Sequence, residues 1–302
     1  MTPERAPVHR RARTCRSVAV AAVGAAGVTV AGCSGPAPEP VQEVGVASDS
    51  PRPTSAATEF PDADSTGVPE GVELRASDSI TVTKDGTVIE ARHVTGRIII
   101  DADDVTVRDT LVETDTNLYP IHVQPGTTGA VIDSVEIDNL GGTGRGIFFQ
   151  GSGTVRHADI HSADQGIRIQ ADDVTVAESW IHDLQRQDEG HHDTIQIRSG
   201  DDVTIEGNTL QPYKESTEDP MNAAIQIGSL TGDDQITNLL VRDNFMNGGN
   251  HTINGGGRGE VESARYSGNR FGRDARYSPA ANLENSVWED SNVWDDTGEP
   301  VR

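Results

Sequence analysis

The chain has 302 residues, 34% of them hydrophobic and only 4% aromatic, with 32 glycines. Such a composition suits one medium-sized domain with an aliphatic core plus tails. Acidic residues outnumber basic ones 48 to 24, a net charge of −24, which repels nucleic acid and anionic headgroups and excludes a nucleic-acid partner.

The N-terminus reads as an address. Arg10, Arg11, Arg13 and Arg16 precede a small apolar run, Ser17 to Val30, followed by "VAGC" ending at Cys33. The run is too short and too alanine-rich for a comfortable membrane span, and the order of basic and apolar regions is that of an export signal. "VAGC" resembles the lipobox of bacterial lipoproteins. That resemblance implies a leader over residues 1–33, a diacylated Cys33, and an extracytoplasmic protein held to the bacterial cell membrane through this anchor alone. An ordinary secretory signal with a chance cysteine is the alternative. Cleavage would discard Cys15, leaving no disulfide to stabilise the exported protein.

Residues 34–71 are rich in Pro, Ser, Ala and acidic side chains and lack any apolar period. Such a segment cannot bury enough surface to order itself, so a disordered tether is expected, with the folded domain over 72–302.

A repeat then sets the architecture. A seven-residue phrase recurs as "VRDTLVE", "IDSVEID", "VRHADIH", "VAESWIH", "IEGNTLQ", "VRDNFMN" and "YSGNRFG", starting at Val107, Ile132, Val155, Val176, Ile205, Val241 and Tyr266. A second series of short alternating strands begins near Ile121, Ile147, Ile167, Ile195, Ile225 and Ile253. No intervening segment has helical spacing or room for a crossover helix, which excludes βαβ units. Stacked coils about 4.8 Å apart satisfy the repeat, so the expected fold is all-β: a single-stranded right-handed parallel β-helix, a solenoid. A β-sandwich of many short strands is the alternative. Asn208, Asn244 and Asn269 share one phrase position, where inward amides can bond the backbone of neighbouring coils. The paired aspartates Asp172, Asp173 and Asp201, Asp202 read as turn residues. Trp288 and Trp294 lie in the C-terminal segment, where they are expected to close the open end of the stack.

On these repeats the chain resembles the pectate-lyase-like superfamily of parallel β-helix proteins, over roughly Glu73 to Asp296. Within it the chain is similar to an often exported bacterial group with a His-x-Asp-x-x-Gln phrase, here His191, Asp193 and Gln196. The superfamily includes lyases, hydrolases, epimerases and binding modules, so the resemblance implies a polysaccharide partner without choosing a reaction.

Alternation in "TIQIR" sends Ile195 and Ile197 to the core and Thr194, Gln196 and Arg198 to solvent. The same phase on stacked coils gives an outer strip of His122, Gln124, Gln150, Arg168, Gln170, Gln196, Arg198 and Gln226, with His251 beside it. Amides and guanidinium groups suit hydroxyl-rich or carboxylated sugars. The two long insertions, His182 to His192 and Gln211 to Ala223, border this strip. The second carries Lys214, one of two lysines in the chain.

Two chemistries fit these residue types. In β-elimination from a uronate, Arg168, Arg198 and Lys214 would neutralise the carboxylate, or Ca²⁺ held by Asp164, Glu189 and Asp193 would; His191, His192 or Lys214 would act as base. Hydrolysis needs two carboxylates, for which Asp164 and Asp193 are candidates. The paired-aspartate and Arg-x-Lys signatures of pectin-hydrolysing β-helices are absent, as are the calcium-ligand and Arg-x-Pro-x-x-Arg patterns of well-known pectate lyases. Structural roles compete throughout: the histidines as loop caps, the arginines as solvated ladder charges, Lys214 as a surface lysine. The leading expectation is a monomeric polysaccharide lyase acting on an acidic glycan, with catalytic His191, His192, Asp193, Arg198 and Lys214. A non-catalytic glycan-binding or surface-structural module comes next, then a glycoside hydrolase.

Overall fold

In a computed structural model, the described residues are 60–186, 190–228, 235–255 and 260–302. Five of the seven phrases form a strand, a bend and a second strand, while in the first two the strands Thr106–Glu113 and Ala130–Asp138 run continuously through the bend. The bend falls at the third residue: Asp109, Ser134, His157, Glu178, Gly207, Asp243 and Gly268 all have φ between 46° and 66°. A left-handed backbone costs an L residue about 1 to 2 kcal/mol, and all but two of these positions lack glycine. The expense recurs in coil after coil, so something must offset it.

The fourth phrase residue supplies the offset. Thr110, Val135, Ala158, Ser179, Asn208, Asn244 and Asn269 all point inward with no exposed surface. The Asn244 amide nitrogen donates to Ile205 O at 3.0 Å and to Asn269 Oδ1 at 3.0 Å, while its Oδ1 accepts from the backbone N–H of Asn208 at 3.0 Å. The expected column of three asparagines extends at both ends. Ser179 N–H donates to Asn208 Oδ1, and Asn269 N–H donates to Asn292 Oδ1. A buried bend cannot use water, so these amides satisfy the polar groups that the turn frees from the sheets.

The second strand series forms the other sheet: Ile80–Val82, Ile98–Ile100, Ile121–Val123, Arg145–Phe149, Gln165–Gln170, Asp193–Asp201, Ala223–Ile227, His251–Asn254 and Ser278–Ala281, paired in that order. All of these pairings are parallel. Register places Ile121, Ile147, Ile167, Ile195, Ile225 and Ile253 in one column, each fully buried. The phrase strands pair the same way in a second, larger parallel sheet that includes both arms of every bend. Together the two inner faces enclose an aliphatic core, as the low aromatic content requires. Among the described residues the one helical element is a single 3-10 turn, Glu215–Thr217.

The aspartate pairs serve as turns. Asp173 and Asp202 have positive φ, and Asp172 Oδ1 accepts the Asp201 N–H at 2.9 Å, so each turn is tied to the next coil. The open C-terminal end is closed by Trp288, which packs on Tyr266 and Phe271 and donates its indole N–H to Val301 O at 3.0 Å. Arg273 lies 3.9 Å over the ring of Trp294. At the other end of the sequence, the described chain begins inside the stretch that composition assigns to the tether. Phe60 packs on Phe245 with ring centroids 5.6 Å apart, and Gly67 N–H donates to His157 O at 2.9 Å. The described fold therefore takes in residues 60–71 as well, a segment without apolar period that the Phe60 ring and the Gly67 N–H attach to the coils.

Replacing Asn244 with Leu would orphan the Asn208 N–H and the Ile205 carbonyl inside the core. The expected loss is about 1 to 3 kcal/mol, read as a lower midpoint in chemical denaturation with an unchanged slope. An unchanged midpoint would contradict the ladder's role.

Candidate functional site

The strand Asp193–Asp201 carries three residues of the predicted site, Asp193, Gln196 and Arg198, and its alternation is broken at the start. Register matches Thr194 with Gly166 and Gly146. A Cβ at Gly166 would lie 2.5 Å from Ile181 Cγ2, and one at Gly146 would lie 2.7 Å from Ile160 Cγ2, so this position faces the core. Thr194 is accordingly buried, with its hydroxyl bonded to Ala224 O, rather than solvent-facing as strict alternation predicts. Two inward residues follow one another, Thr194 and Ile195, a local bulge-like irregularity. Asp193 is thereby set to the opposite side, at the end of the insertion.

That insertion and the next enclose a cleft of about 560 Å³, lined by Arg186, Gly190, His191, Thr217 to Asn222, Asn250 and Arg276. His191 is exposed on its wall. His192 turns away: it is fully buried, with Nδ1 2.8 Å from Asp164 Oδ1, so it cannot meet a substrate as a base and instead fixes the insertion to the previous coil. Arg186 pairs through two bonds with Asp219, tying the two insertions together and holding the Asp219 carboxyl down at about 2.

Asp193 lies wholly buried beneath the cleft. Its Oδ1 accepts from Asn222 Nδ2 at 2.6 Å, and its Oδ2 has no hydrogen-bond partner. Burial pushes its carboxyl up to about 7, only partly countered by the Asn222 bond and the nearby His192. Asn222 links this acid to the rest of the floor, donating toward Gln226 Oε1 at 3.4 Å and accepting from Asn250 Nδ2 at 3.5 Å.

The outer strip exists in the predicted register, with His122, Phe148, Arg168, Gln196, Gln226 and Asn254 in one column. Much of it is committed to itself. His122 is held between Gln124, which donates to Nδ1 at 2.8 Å, and Gln150, whose Oε1 accepts from Nε2 at 2.9 Å. Both ring nitrogens are satisfied in the neutral form, and burial lowers its pKa. The ring stacks on Phe148 at 5.1 Å, Tyr119 tilts against both, and the Arg168 guanidinium sits 5.7 Å over Phe148. Gln226 Oε1 accepts from Asn254 Nδ2 at 3.0 Å, and both Gln196 and Gln226 are nearly buried. Arg168 and Arg198 are half-buried. The register slips after Ile169, so Gln170 faces Ser199 and Arg198 leaves the ideal column.

The predicted residues therefore divide. His191 lines the cleft and Asp193 underlies it. Gln150 and Gln170 line a second groove of about 480 Å³ at the far end of the same strands, with Ser199 and Gly200. Arg198 stands five residues along the strand from Asp193, about 16 Å. Lys214 lines neither hollow; its backbone pairs with Asp219 and closes the short loop around the 3-10 turn. His251 shares the column of Asp193 and bonds Ser278 Oγ at 2.8 Å, beside the exposed Tyr277. Glu189 and Cys33 lie outside the described residues. Among the described residues no group of three or more His, Cys, Asp or Glu side chains can hold a metal ion. Asp164 is bonded to His192 and Asp193 to Asn222, and Glu189, the third residue of the expected Ca²⁺ set, lies outside the described residues.

Sequence reasoning missed Asn222, Asn250, Arg186, Asp219 and Arg276, which lie on irregular loops without period. Tyr119 and Arg97 were closer to hand, immediately before two of the strands; Arg97 Nε donates to Tyr119 O at 2.7 Å.

A family model described as the right handed beta helix region matches residues 70–245, more than half of the chain. No curated protein matches it. Among solved structures, the tailspike protein gp49 from Acinetobacter baumannii bacteriophage Fri1, a capsular polysaccharide depolymerase, aligns with 73% of this chain at 14% identity and a TM-score of 0.43. The alignment takes in 51% of that protein, so the chain spans about half its length.

Asp193 also yields a pH signature. Its carboxyl ionises near 3.8 when unfolded and at about 7 when folded. The folded state thus holds the extra proton between those values, and stability falls as pH rises through that window, by roughly 2 to 4 kcal/mol. Asp193→Asn keeps the acceptor for Asn222 but removes the titration. Denaturant midpoints measured at several pH values should decline less steeply for the variant between pH 4 and 7, and parallel profiles would show that Asp193 ionises normally.

Proposed function

The chain belongs to the right-handed β-helix family, and we propose that it binds an acidic polysaccharide across the outer face of the sheet that carries Asp193–Asp201, leading into the cleft beside His191. The observation that supports this reading is the distribution of charge. From Ile121–Val123 to His251–Asn254, six consecutive strands of this sheet carry Arg145, Arg168 and Arg198 together with His122 and His251, and only two acids, Asp193 and Asp201. Asp193 is buried with a raised pKa. By contrast, the phrase strands Thr106–Glu113 and Ala130–Asp138 carry Asp109, Glu113, Asp133, Glu136 and Asp138 against one arginine, Arg108. In a chain with twice as many acids as bases, one face has been kept nearly free of negative charge. Tyr119, half-buried and packed on the buried Phe148, adds a place for a sugar ring, and the guanidinium groups of this face offer paired donors to carboxylates.

A second reading, β-elimination, is favoured by His191 together with Arg276 on the wall of one cleft. In this reaction the guanidinium stabilises the substrate carboxylate as His191 takes the proton from the adjacent carbon. The electron pair left behind forms the carbon–carbon double bond, the bond to the glycosidic oxygen breaks, and that oxygen leaves with a proton from solvent. Arg198 and Lys214 stand apart from His191, so they belong to polymer binding or to the loop's own fold.

Binding of pectate, alginate and glycosaminoglycans should exceed that of neutral glucans, weaken with salt, and fall by about tenfold in the Arg168→Ala, Arg198→Ala double variant at unchanged melting temperature. Equal binding of neutral and acidic polymers would refute the charge argument. Elimination requires an unsaturated product, so ultraviolet absorbance should rise during incubation and His191→Ala should abolish the rise. A flat trace with every acidic glycan that binds would leave the protein a binding module.

The lipobox resemblance at Cys33 supports a lipid anchor at the cell surface. Fractionation should find the wild type with membranes and Cys33→Ala released; equal release of both would remove the anchor.

A further inference from the structure

The insertion 211–223 has two sides. Residues Thr217 to Asn222 face the cleft already described. On the other side, Tyr213 and Glu215 form the wall of a separate groove of about 290 Å³, completed by Trp180, His182, Asp183, Gln211, Asn247 and Asp274. Its floor is the outer face of the bent sheet, and register takes it from coil to coil: Trp180 neighbours Thr209 and Ile181 neighbours Leu210, so His182 and Gln211 lie one above the other.

The groove is built rather than incidental. Trp180 stacks on His182 with centroids 3.5 Å apart and planes 10° from parallel, and its indole N–H donates to Gln211 Oε1 at 3.0 Å. His182 is fixed in turn by Asp159 at 2.9 Å and Asp183 at 2.8 Å, one carboxylate on each ring nitrogen. Asn247 is oriented by Asp274, which accepts from its amide nitrogen at 2.8 Å. Tyr213 is packed closely by the next coil: a Cβ at Gly248, whose φ is +110°, would stand 2.7 Å from Tyr213 Cβ. The rings and amides are thus set before any ligand arrives, which lowers the entropy that binding must overcome.

We propose that this groove is a second glycan subsite, selective for a sugar unit that carries a free ammonium group. Among the described residues its lining carries the acids Asp183, which is paired with His182, Glu215 and Asp274, and no arginine or lysine, whereas the cleft across the loop presents Arg186 and Arg276. A carboxylated sugar is repelled here. An ammonium group gains both the carboxylates and the faces of Trp180 and Tyr213, through cation–π attraction. The amides of Gln211 and Asn247 lie between the acids, where ring hydroxyls would need partners; a lysine side chain has no hydroxyls to use them. The site goes beyond the acidic-polymer face and does not depend on it.

The test is calorimetric titration of the full chain with a glucosamine oligomer at a pH that keeps its amines protonated, with the N-acetylated oligomer and an oligolysine peptide as comparisons. The glucosamine oligomer should bind, and Trp180→Ala should weaken it about tenfold, the change expected from one desolvated cation–π contact. Because Trp180 also packs on the coil, the exposed pair Glu215→Gln with Asp274→Asn provides a second variant, which should weaken binding at an unchanged melting temperature. Equal affinity for the N-acetylated oligomer would overturn the proposal, as would preference for oligolysine or indifference to both variants. Acidic-polymer binding, measured on the same variants, should not change; its absence in the wild type would refute the other face and leave this groove standing.

Discussion

Everything in this protein depends on one repeated arrangement: a left-handed residue followed by an inward side chain that bonds the coils above and below. The left-handed residue turns the chain sharply enough for both arms of the phrase to remain in one parallel sheet. The inward residue then satisfies the backbone groups that the turn exposes, from Ser179 through Asn208, Asn244 and Asn269 to Asn292. Neither works alone. From Asn208 onward a bend without the amides would strand buried N–H and C=O groups, and amides without the bend would have no backbone within reach. At the earlier coils Val135 and Ala158 hold the same position without an amide, and there the neighbouring coil's side chains and backbone do the bonding: Ala158 N–H donates to Ser179 Oγ.

Because each coil then rests mainly on its two neighbours, a long loop between strands disturbs little else. That is why both insertions occur where they do. The chain between the phrase strand and the next strand can lengthen from a few residues to more than ten while the strands on either side remain in register. The loops gain a rigid platform, and the platform is not reshaped to hold them. Long-range links, Arg186 to Asp219 and Asn222 to Asp193, then join one insertion to the next and to the sheet.

How much of this could be read beforehand follows the same division. The columns were legible because a solenoid writes its geometry into the period: Asn208, Asn244 and Asn269 at one phrase position, His122, Arg168, Gln196 and Gln226 at another, aspartate pairs at the turns. Departures from the period were not. Thr194 turns inward because the coil below has glycine at that place, and no local pattern at Thr194 records what Gly166 lacks. His192 is buried, and its neighbour His191 exposed, through the contact of its Nδ1 with Asp164 Oδ1 from the previous coil. Lys214 is drawn out of the cleft by a backbone pairing with Asp219 inside its own loop. In each case the deciding contact is distant in sequence or lies in an aperiodic stretch, and pattern reading has no access to it. The aromatic patch was half visible: Phe148 was in the strip, but Tyr119 precedes the strand and reaches it only through the fold.

The electrostatics can be understood from the same geometry. A solenoid stacks like positions on like at about 4.8 Å, so a charge repeated in one column repels its own neighbours unless an opposite charge alternates with it. The acidic columns of the bent sheet meet this by pairing: Asp133 with Arg156 and His157, Glu206 with Arg242, Glu289 with Arg265. On the opposite sheet the column is filled instead by neutral amides and a neutral histidine bonded to one another, with arginine between them. That solution removes negative charge from one face without placing uncompensated positive charge in a continuous row. A face so constructed is stable on its own and still offers guanidinium donors, as the proposed binding of a carboxylated polymer requires. The groove beyond the 211–223 loop, where Asp183 is bonded to His182 and Asp274 to Asn247, is the one proposed for the opposite charge. One loop separates the two fields, and the chain's overall excess of acid leaves the contrast between them undiminished.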